Sequence, residues 1–331
     1  MTTLKDVAKL ANVSIATVSI YVNNKGYISP EKRERIKKAI DELNYKPNLI
    51  ARILKKKISK TIGIIFTGIE NPFFSCLVEN AEEVAFKSGY NVILCNTEED
   101  PKKERIYIEI LKERFIDGFV IIPAIKNSKQ YEILKDEKVV FVDRSSGIKN
   151  EILIKLDNIM GVKIGIEYLI SLGHKRIGVI NLPTIMTTGF ERFEGYKKEL
   201  IDNGIELDKN LIKFAKFSIE SSYEKTIELL KLEKRPTAIF LMSNLITIGA
   251  LKAIKDSNLK VPNDISIICF DDFPASELIE PPITTITQPV KEIAILAMEV
   301  LIRIISGKRP RKKLNVLEPK LMIRKSCKNI L

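Results

Sequence analysis

Beyond Thr61 the chain alternates short apolar runs with helical patterns, and this constrains the fold most. The runs are Ile62–Phe66, Val92–Cys95, Phe119–Ile122, Val139–Val142, Ile177–Ile180, Ala238–Leu241 and Ile265–Phe270. Helix-period segments separate them, around Leu77–Lys87, Glu104–Arg114, Val162–Leu172, Arg192–Ile201, Tyr223–Leu232 and Ile246–Ile254. Strands that are apolar on both faces belong in a parallel sheet with helices on each side. There are enough βα units for two doubly wound lobes, so an α/β body is expected. In such folds a ligand sits at the carboxyl ends of the strands, here in the cleft between lobes. A last helix near Ile293–Ile305 precedes a basic loop, Gly307–Lys313, and a short tail.

The first sixty residues follow a different pattern. LKDVAKLANVSIATVSIYVN, Leu4–Asn23, reads as two short helices around a turn at Asn12-Val13-Ser14. Val7, Leu10, Ala11, Val13, Val18 and Val22 recur at three- and four-residue steps and give each helix an apolar stripe. The other face of the second helix offers Ile15, Ala16, Thr17, Ser19, Ile20 and Asn23, a set suited to a DNA groove. Ser29-Pro30 starts a third helix, with Ser29 as cap and Pro30 at the first position. Its stripe is Ile36, Ile40 and Leu43, and Pro47 is expected to end it. Residues 48–57, NLIARILKKK, form a linker with helical propensity, too short to be stable alone.

Charge separates the two parts. Residues 1–60 hold 14 Lys+Arg against 5 Asp+Glu, a net of +9, whereas the other 271 residues carry only +3 of the chain's +12. A basic head on a near-neutral body is the electrostatic footprint of a nucleic-acid binder. Other classes are weakened. The N-terminus lacks an apolar signal-peptide core and no apolar run reaches membrane-spanning length, so a cytoplasmic location is expected, with nucleoid association when DNA-bound. That argues against a secreted solute-binding protein. The four cysteines form no CxxC pair and read as reduced thiols. One histidine, His174, excludes a histidine-rich metal site. No GxxxxGK[ST], strand-linked GxGxxG or HExxH motif is present, so no enzyme chemistry and no cofactor is expected.

Phrases along nearly the whole chain then resemble the lactose-repressor/galactose-repressor (LacI/GalR) family of bacterial transcription regulators. They are LKDVAKLANVSIATVSIYVN, ISPEKRERIKKAIDELNYKPNLIARIL, TIGIIF, ENPFF, ERFIDGFVIIP, VVFVDR, LISLGHKRIGVI, RFEGY, VPNDISIICFDD, PPITTITQP and LMIRKS, in family order. The resemblance implies a helix-turn-helix DNA-binding domain over 1–47, a hinge helix or linker over 48–60, and a two-lobed, periplasmic-binding-protein-like effector and dimerisation body over 61–331. It implies a homodimeric repressor on a pseudo-palindromic operator, controlled by a small effector between the lobes, a sugar or related metabolite. The alternative is a global regulator driven by a phosphocarrier-protein corepressor.

Carried over residue by residue, the DNA contacts would be Thr3, Ile15, Ala16, Thr17, Ser19, Ile20, Asn23, Tyr27, Asn48, Ala51 and Leu54. Ile15, Ala16 and Ile20 would face base edges, Thr17, Ser19 and Asn23 phosphates and sugar, and Leu54 would be a minor-groove wedge. Many relatives carry Arg or His at Ile20; an apolar reader senses thymine methyl groups rather than guanine acceptors. The effector residues would be Phe73, Phe74, Asp143, Arg192, Phe217, Asn244 and Asp271. Aromatic faces would stack on a ring while Asp, Asn and Arg bond its polar edges. Leu245 stands where relatives often have Asp, and Asp272 is a competitor to Asp271 for the cleft.

Overall fold

The structure, a computed structural model, describes residues 2–23, 26–45 and 58–331. The chain divides into two units, Met1–Ser59 and Lys60–Leu331.

In the first unit, α1 (Leu4–Leu10), α2 (Ile15–Val22) and α3 (Pro30–Glu42) close a small core of Val7, Ala8, Ala11, Val18, Ile36, Ala39 and Tyr45. A reciprocal capping box starts α1: Thr3 accepts from the Asp6 amide, and Asp6 accepts from the Thr3 amide at 2.8 Å. The Ser14 hydroxyl caps α2 by accepting from the Thr17 amide at 3.1 Å. Three expectations need correction. Leu10 is 45% exposed and Ala8 takes the buried place beside Val7, because the seven-residue α1 has room for one narrow stripe. Ser29 stands at the cap position of α3 but its hydroxyl bonds no helix amide. That helix ends at Glu42, several residues before Pro47, where Asn44 enters the left-handed region at φ 44°.

The second unit holds two six-stranded sheets. The first is ordered β11-β5-β4-β3-β1-β2, with β1 Thr61–Phe66, β2 Asn91–Asn96, β3 Gly118–Ile121, β4 Val139–Val142, β5 Leu153–Leu156 and β11 Leu314–Leu317. The second is ordered β12-β10-β9-β8-β6-β7, with β6 Ile177–Asn181, β7 Ile212–Phe214, β8 Ala238–Leu241, β9 Ser266–Phe270, β10 Thr284–Thr287 and β12 Lys320–Met322. Every pairing is parallel except β10 with β12. Helices α4 (Pro72–Lys87), α5 (Pro101–Glu113), α6 (Ser128–Tyr131) and α11 (Val290–Ile305) belong to the first lobe. Helices α7 (Asn158–Ser171), α8 (Thr187–Asp202), α9 (Ile219–Leu230) and α10 (Asn244–Asp256) belong to the second.

The apolar runs follow from burial on both faces. In β1, Ile62, Ile64 and Phe66 pack under α4 and α11, while Ile65 points into the opposite core with Ile108 and Leu111. The short tail proves to be structural: β11 extends the first sheet and β12 the second. The chain therefore crosses between lobes three times, after β5, after β10 and after β11. Two crossovers are tied together, since the Asp157 amide donates to the Leu317 carbonyl at 2.9 Å. No helix among the described residues is long and apolar enough to cross a membrane.

Candidate functional site

Helix α2, the expected recognition helix, is built locally. With Val18 fully buried beneath it, α2 presents Ile15 (49% exposed), Ala16 and Ile20 (37% exposed) outward. The three expected base readers thus share the solvent face. The expected phosphate partners are half-buried and engaged with the helix: the Thr17 hydroxyl lies 2.8 Å from that of Ser14, and Asn23 Nδ2 donates to the Ser19 carbonyl at 2.7 Å. Tyr27 is exposed, and Thr3 serves the cap of α1. Asn48, Ala51 and Leu54 lie outside the described residues.

The cleft is built from distant segments. Asp143 follows β4 and Asp271 follows β9, so each lobe presents one carboxylate at the carboxyl end of a central strand. Both residues hold a left-handed backbone, φ 64° and 76°, uncommon for a residue with a Cβ and characteristic of functional positions. Each is pinned by its amide, Asp143 to the Ile154 carbonyl and Asp271 to the Ile286 carbonyl, both at 2.9 Å. Phe73 and Phe74 sit in the first turn of α4, where Asn71 caps the helix and Pro72 starts it; their rings meet edge-on at 5.1 Å. Both are buried and belong also to the first lobe's core.

Arg192 comes from α8. That helix runs close to the end of β6 because Gly189 has no Cβ; one would stand 2.4 Å from the Pro183 carbonyl oxygen. Its guanidinium lies 3.7 Å from the Phe270 ring centroid, and Phe270 itself fits against Gly161, where a Cβ would lie 2.8 Å from the ring. Arg192 donates to Asn158 Oδ1 at 2.9 Å and to the Met242 carbonyl at 2.7 Å, and reaches Asp271 at 3.5 Å. It is a fixed donor held by three elements of the second lobe. Asp271 also accepts from Gln288 at 2.5 Å. Asp272, the competitor, is committed to Arg324 (3.0 Å) and Ser276 (2.6 Å) and lines neither cleft chamber.

The deep end of the cleft brings together Phe73, Phe74, Asp143, Arg192, Phe217 and Asp271, six of the seven expected effector residues. Asn244 lines neither chamber; its Nδ2 donates across the lobes to Asn71 Oδ1 at 2.9 Å, and its own Oδ1 accepts the Leu245 amide. The deep chamber holds about 20 Å³, room for about one water. It adjoins an outer chamber of about 720 Å³ lined by Asn71, Phe74, Glu99, Lys216, Phe217 and Leu245 among others. Burial pushes the Asp143 carboxyl up to about 6, with Arg144 and Arg192 pulling the other way.

Residues that local sequence patterns left out complete the deep end. Arg144 is 3% exposed, paired with Glu99 at 2.6 Å, and lies 3.4 Å from Asp143. Thr188 Oγ1 and Gln288 Oε1 are buried there without a hydrogen-bond partner. Only the adjacency of Asp143 and Arg144 gave any sequence signal. His174 is a structural group: its ring nitrogens meet Thr237 Oγ1 at 2.9 Å and the Lys328 carbonyl at 3.2 Å.

A three-helix head with an exposed reading face, in one chain with a two-lobed cleft lined by paired acids, aromatic rings and a fixed arginine, defines a ligand-responsive DNA-binding regulator. The comparisons agree. Residues 3–48 match the model of bacterial regulatory proteins of the lacI family, and residues 166–327 match the periplasmic binding protein-like domain. An HTH-type transcriptional repressor PurR of Histophilus somni is 34% identical over 333 residues, covering 100% of both chains. A ribose operon repressor of Halalkalibacterium halodurans is 35% identical over 328 residues, covering 99% of this chain and 98% of that one. Among solved structures, a Lac repressor dimer bound to operator and an anti-inducer superposes with a TM-score of 0.86 at 27% identity, covering 98% of each chain. The chain belongs to the LacI family of bacterial regulatory proteins. It is a DNA-binding transcriptional repressor with a ligand-binding body, and not an enzyme.

Proposed function

We propose that the effector is a neutral, polyhydroxylated small molecule of the monosaccharide class, held by Asp143, Asp271 and Arg192 and flanked by Phe73, Phe74 and Phe217. The observation that carries this reading is the charge balance of the deep cleft. Asp143, Asp271 and Glu99 face two guanidinium groups, Arg144 and Arg192, and both guanidiniums already have carboxylate partners. Lys216, lining the outer chamber, is then the cation through which a phosphate could be held, whereas hydroxyl groups suit the deep end's carboxylates, its fixed arginine and the unpartnered Thr188 and Gln288 oxygens. The similarity to a ribose operon repressor points to pentoses first.

Operator recognition is assigned to Ile15, Ala16 and Ile20 at base edges, with Thr17, Ser19, Asn23, Thr3 and Tyr27 toward the backbone and Asn48, Ala51 and Leu54 in the hinge. The working unit is a homodimer in the cytoplasm on a pseudo-palindromic site. Domains of 1–47, 48–60 and 61–331 carry these roles. Closing of the lobes biases the hinge and so couples ligand to DNA.

Calorimetry of the full chain tests the ligand class with D-ribose, other monosaccharides and D-ribose 5-phosphate. The expected result is binding of a neutral sugar that Asp271→Asn weakens. Binding of the phosphosugar in preference to every neutral sugar overturns the class. A blank sugar panel together with binding of a phosphocarrier protein moves the control to the corepressor alternative.

A further inference from the structure

One helix of the second lobe, α8, carries two stripes side by side. Thr188 and Arg192 stand four residues apart, so they share a face, and both line the deep chamber. Thr187 and Glu191, each one position earlier, form the neighbouring stripe, and both reach the first lobe. The Thr187 hydroxyl accepts from the Ser145 amide at 3.2 Å, and Glu191 pairs with Lys155 on β5. A shift of α8 against the first lobe therefore carries Arg192 with it, because both stripes belong to one hydrogen-bonded helix.

Asn158 joins the two stripes. It is the first residue of α7, directly after the first interlobe crossover and next to Asp157, whose amide ties two crossovers together. Its side chain is buried and used at both ends: Nδ2 donates to Glu191 Oε2 at 2.9 Å, and Oδ1 accepts from Arg192 Nε at 2.9 Å. Only this orientation of the amide suits a carboxylate on one side and a guanidinium on the other. The bonds thus run without a break from Lys155 through Glu191 and Asn158 to Arg192. Elsewhere the guanidinium is held through Nη1, by the Met242 carbonyl at 2.7 Å and Asp271 at 3.5 Å. A planar group held at one corner can pivot, and the Asn158 bond at Nε supplies the second corner. Lys155, Glu191 and Asn158 line neither chamber.

We propose that Lys155, Glu191 and Asn158 are positioning residues for Arg192, through which the grip of the first lobe on α8 sets the orientation of the guanidinium in the cleft. This rests on the reading of the cleft as the ligand site. It deepens that reading by naming how a residue outside the cleft, on the other lobe, governs the cleft's fixed donor. Parting of the lobes takes Lys155 from Glu191 and loosens Asn158, so Arg192 is aligned for a ligand only while the lobes are together.

The test reads the Arg192 Nε–H group by arginine side-chain NMR of the full chain, its signal identified by its absence from Arg192→Lys. In the natural protein this hydrogen should exchange with water about tenfold more slowly than that of an exposed arginine, or slower still. Asn158→Leu should remove the protection. Lys155→Met, which keeps the stem and removes the charge, should lower it about threefold or more, and Lys155→Arg should restore it. Unchanged protection in a folded Asn158→Leu or in Lys155→Met overturns the proposal, as does a natural protein whose Arg192 hydrogen exchanges like an exposed one. If Asn158→Leu does not fold, Lys155→Met decides. An ion pair that only stabilises the fold would lower the melting temperature of Lys155→Met and leave the arginine signal as it is, and that result overturns the proposal too. Calorimetry with D-ribose as the probe should show binding about threefold to tenfold weaker in Lys155→Met, and equal affinity counts against the positioning role. The exchange comparison needs no ligand, so a natural protein that ignores D-ribose sinks the monosaccharide class and leaves this comparison readable.

Discussion

Helix α2, proposed to read the operator, and the cleft separate function from stability in opposite ways. On α2 the residues assigned to DNA face solvent, and the residue that holds the helix, Val18, is fully buried on the other side. In the cleft the residues assigned to the ligand are themselves buried: Asp143 and Asp271 are each 6% exposed and Arg192 3%. An exposed helix face can change its chemistry without disturbing the fold. In a cleft made of buried charges every change alters stability, in either direction, because each charge was desolvated on folding and most lean on a partner.

The largest expected effect lies in the cleft. Arg192→Leu removes the partner of Asp271 and the donor to Asn158 and the Met242 carbonyl. It should lower the unfolding free energy by about 3–5 kcal/mol, read from urea denaturation of the full chain. A loss below about 1 kcal/mol would mean the body tolerates surgery as well as the head does. Next comes Asp143→Asn. The folded carboxyl titrates near about 6, above the ordinary 3.8 of the unfolded chain. Between those values the folded state keeps a proton that the unfolded chain has released, so stability falls as pH rises through the window and is level above it. Asparagine removes that penalty. The variant should match the natural protein near pH ~4 and exceed it by roughly 2 kcal/mol above pH ~6 in melts across pH.

In the head the sign of the comparison reverses. Ile20→Arg should leave thermal stability within about 0.5 kcal/mol, since Ile20 is more than a third exposed. It should change the base preferred beneath it, by about 1–3 kcal/mol where a bidentate contact to guanine forms. An unchanged binding-site selection would remove Ile20 from the readers. The smallest effect belongs to Thr3→Ala. Loss of the capping box of α1 should cost about 1 kcal/mol, seen as a lower head melting transition, with the operator preference kept.

Much of the fold was legible because its cause is local or periodic. Strands buried on both faces announce themselves as apolar runs, and those at β1, β4, β6, β8 and β9 fall within a residue of the expected bounds. Apolar periodicity marks helix starts late: α4 begins at Pro72 rather than Leu77, because Asn71 and Pro72, not apolar periodicity, set its first turn. Strands with polar or half-exposed residues carried no run to detect. Among them are β10, Thr-Thr-Ile-Thr, and β11 and β12 in the tail. In the head, Leu10 at helical spacing looked like core, and α1 is too short to bury it.

The sequence by itself determined a basic helix-turn-helix head, an α/β body and, through its family phrases, the residues to look for in the cleft. The head and the body rest on periodicity, charge and turn chemistry, which act over a few residues; the cleft residues rest on the family resemblance alone. Only the tertiary structure decided how those residues divide their bonds. It committed Asp272 to Arg324 and left Asp271 to the cleft. It used Asn244 as a bridge to Asn71, 173 positions away in the chain. It also set Arg144 over two aromatic rings under the grip of Glu99, 45 positions away. Such pairings follow from where three interlobe crossovers and two sheets bring strand ends together, and no local rule of the chain encodes that meeting.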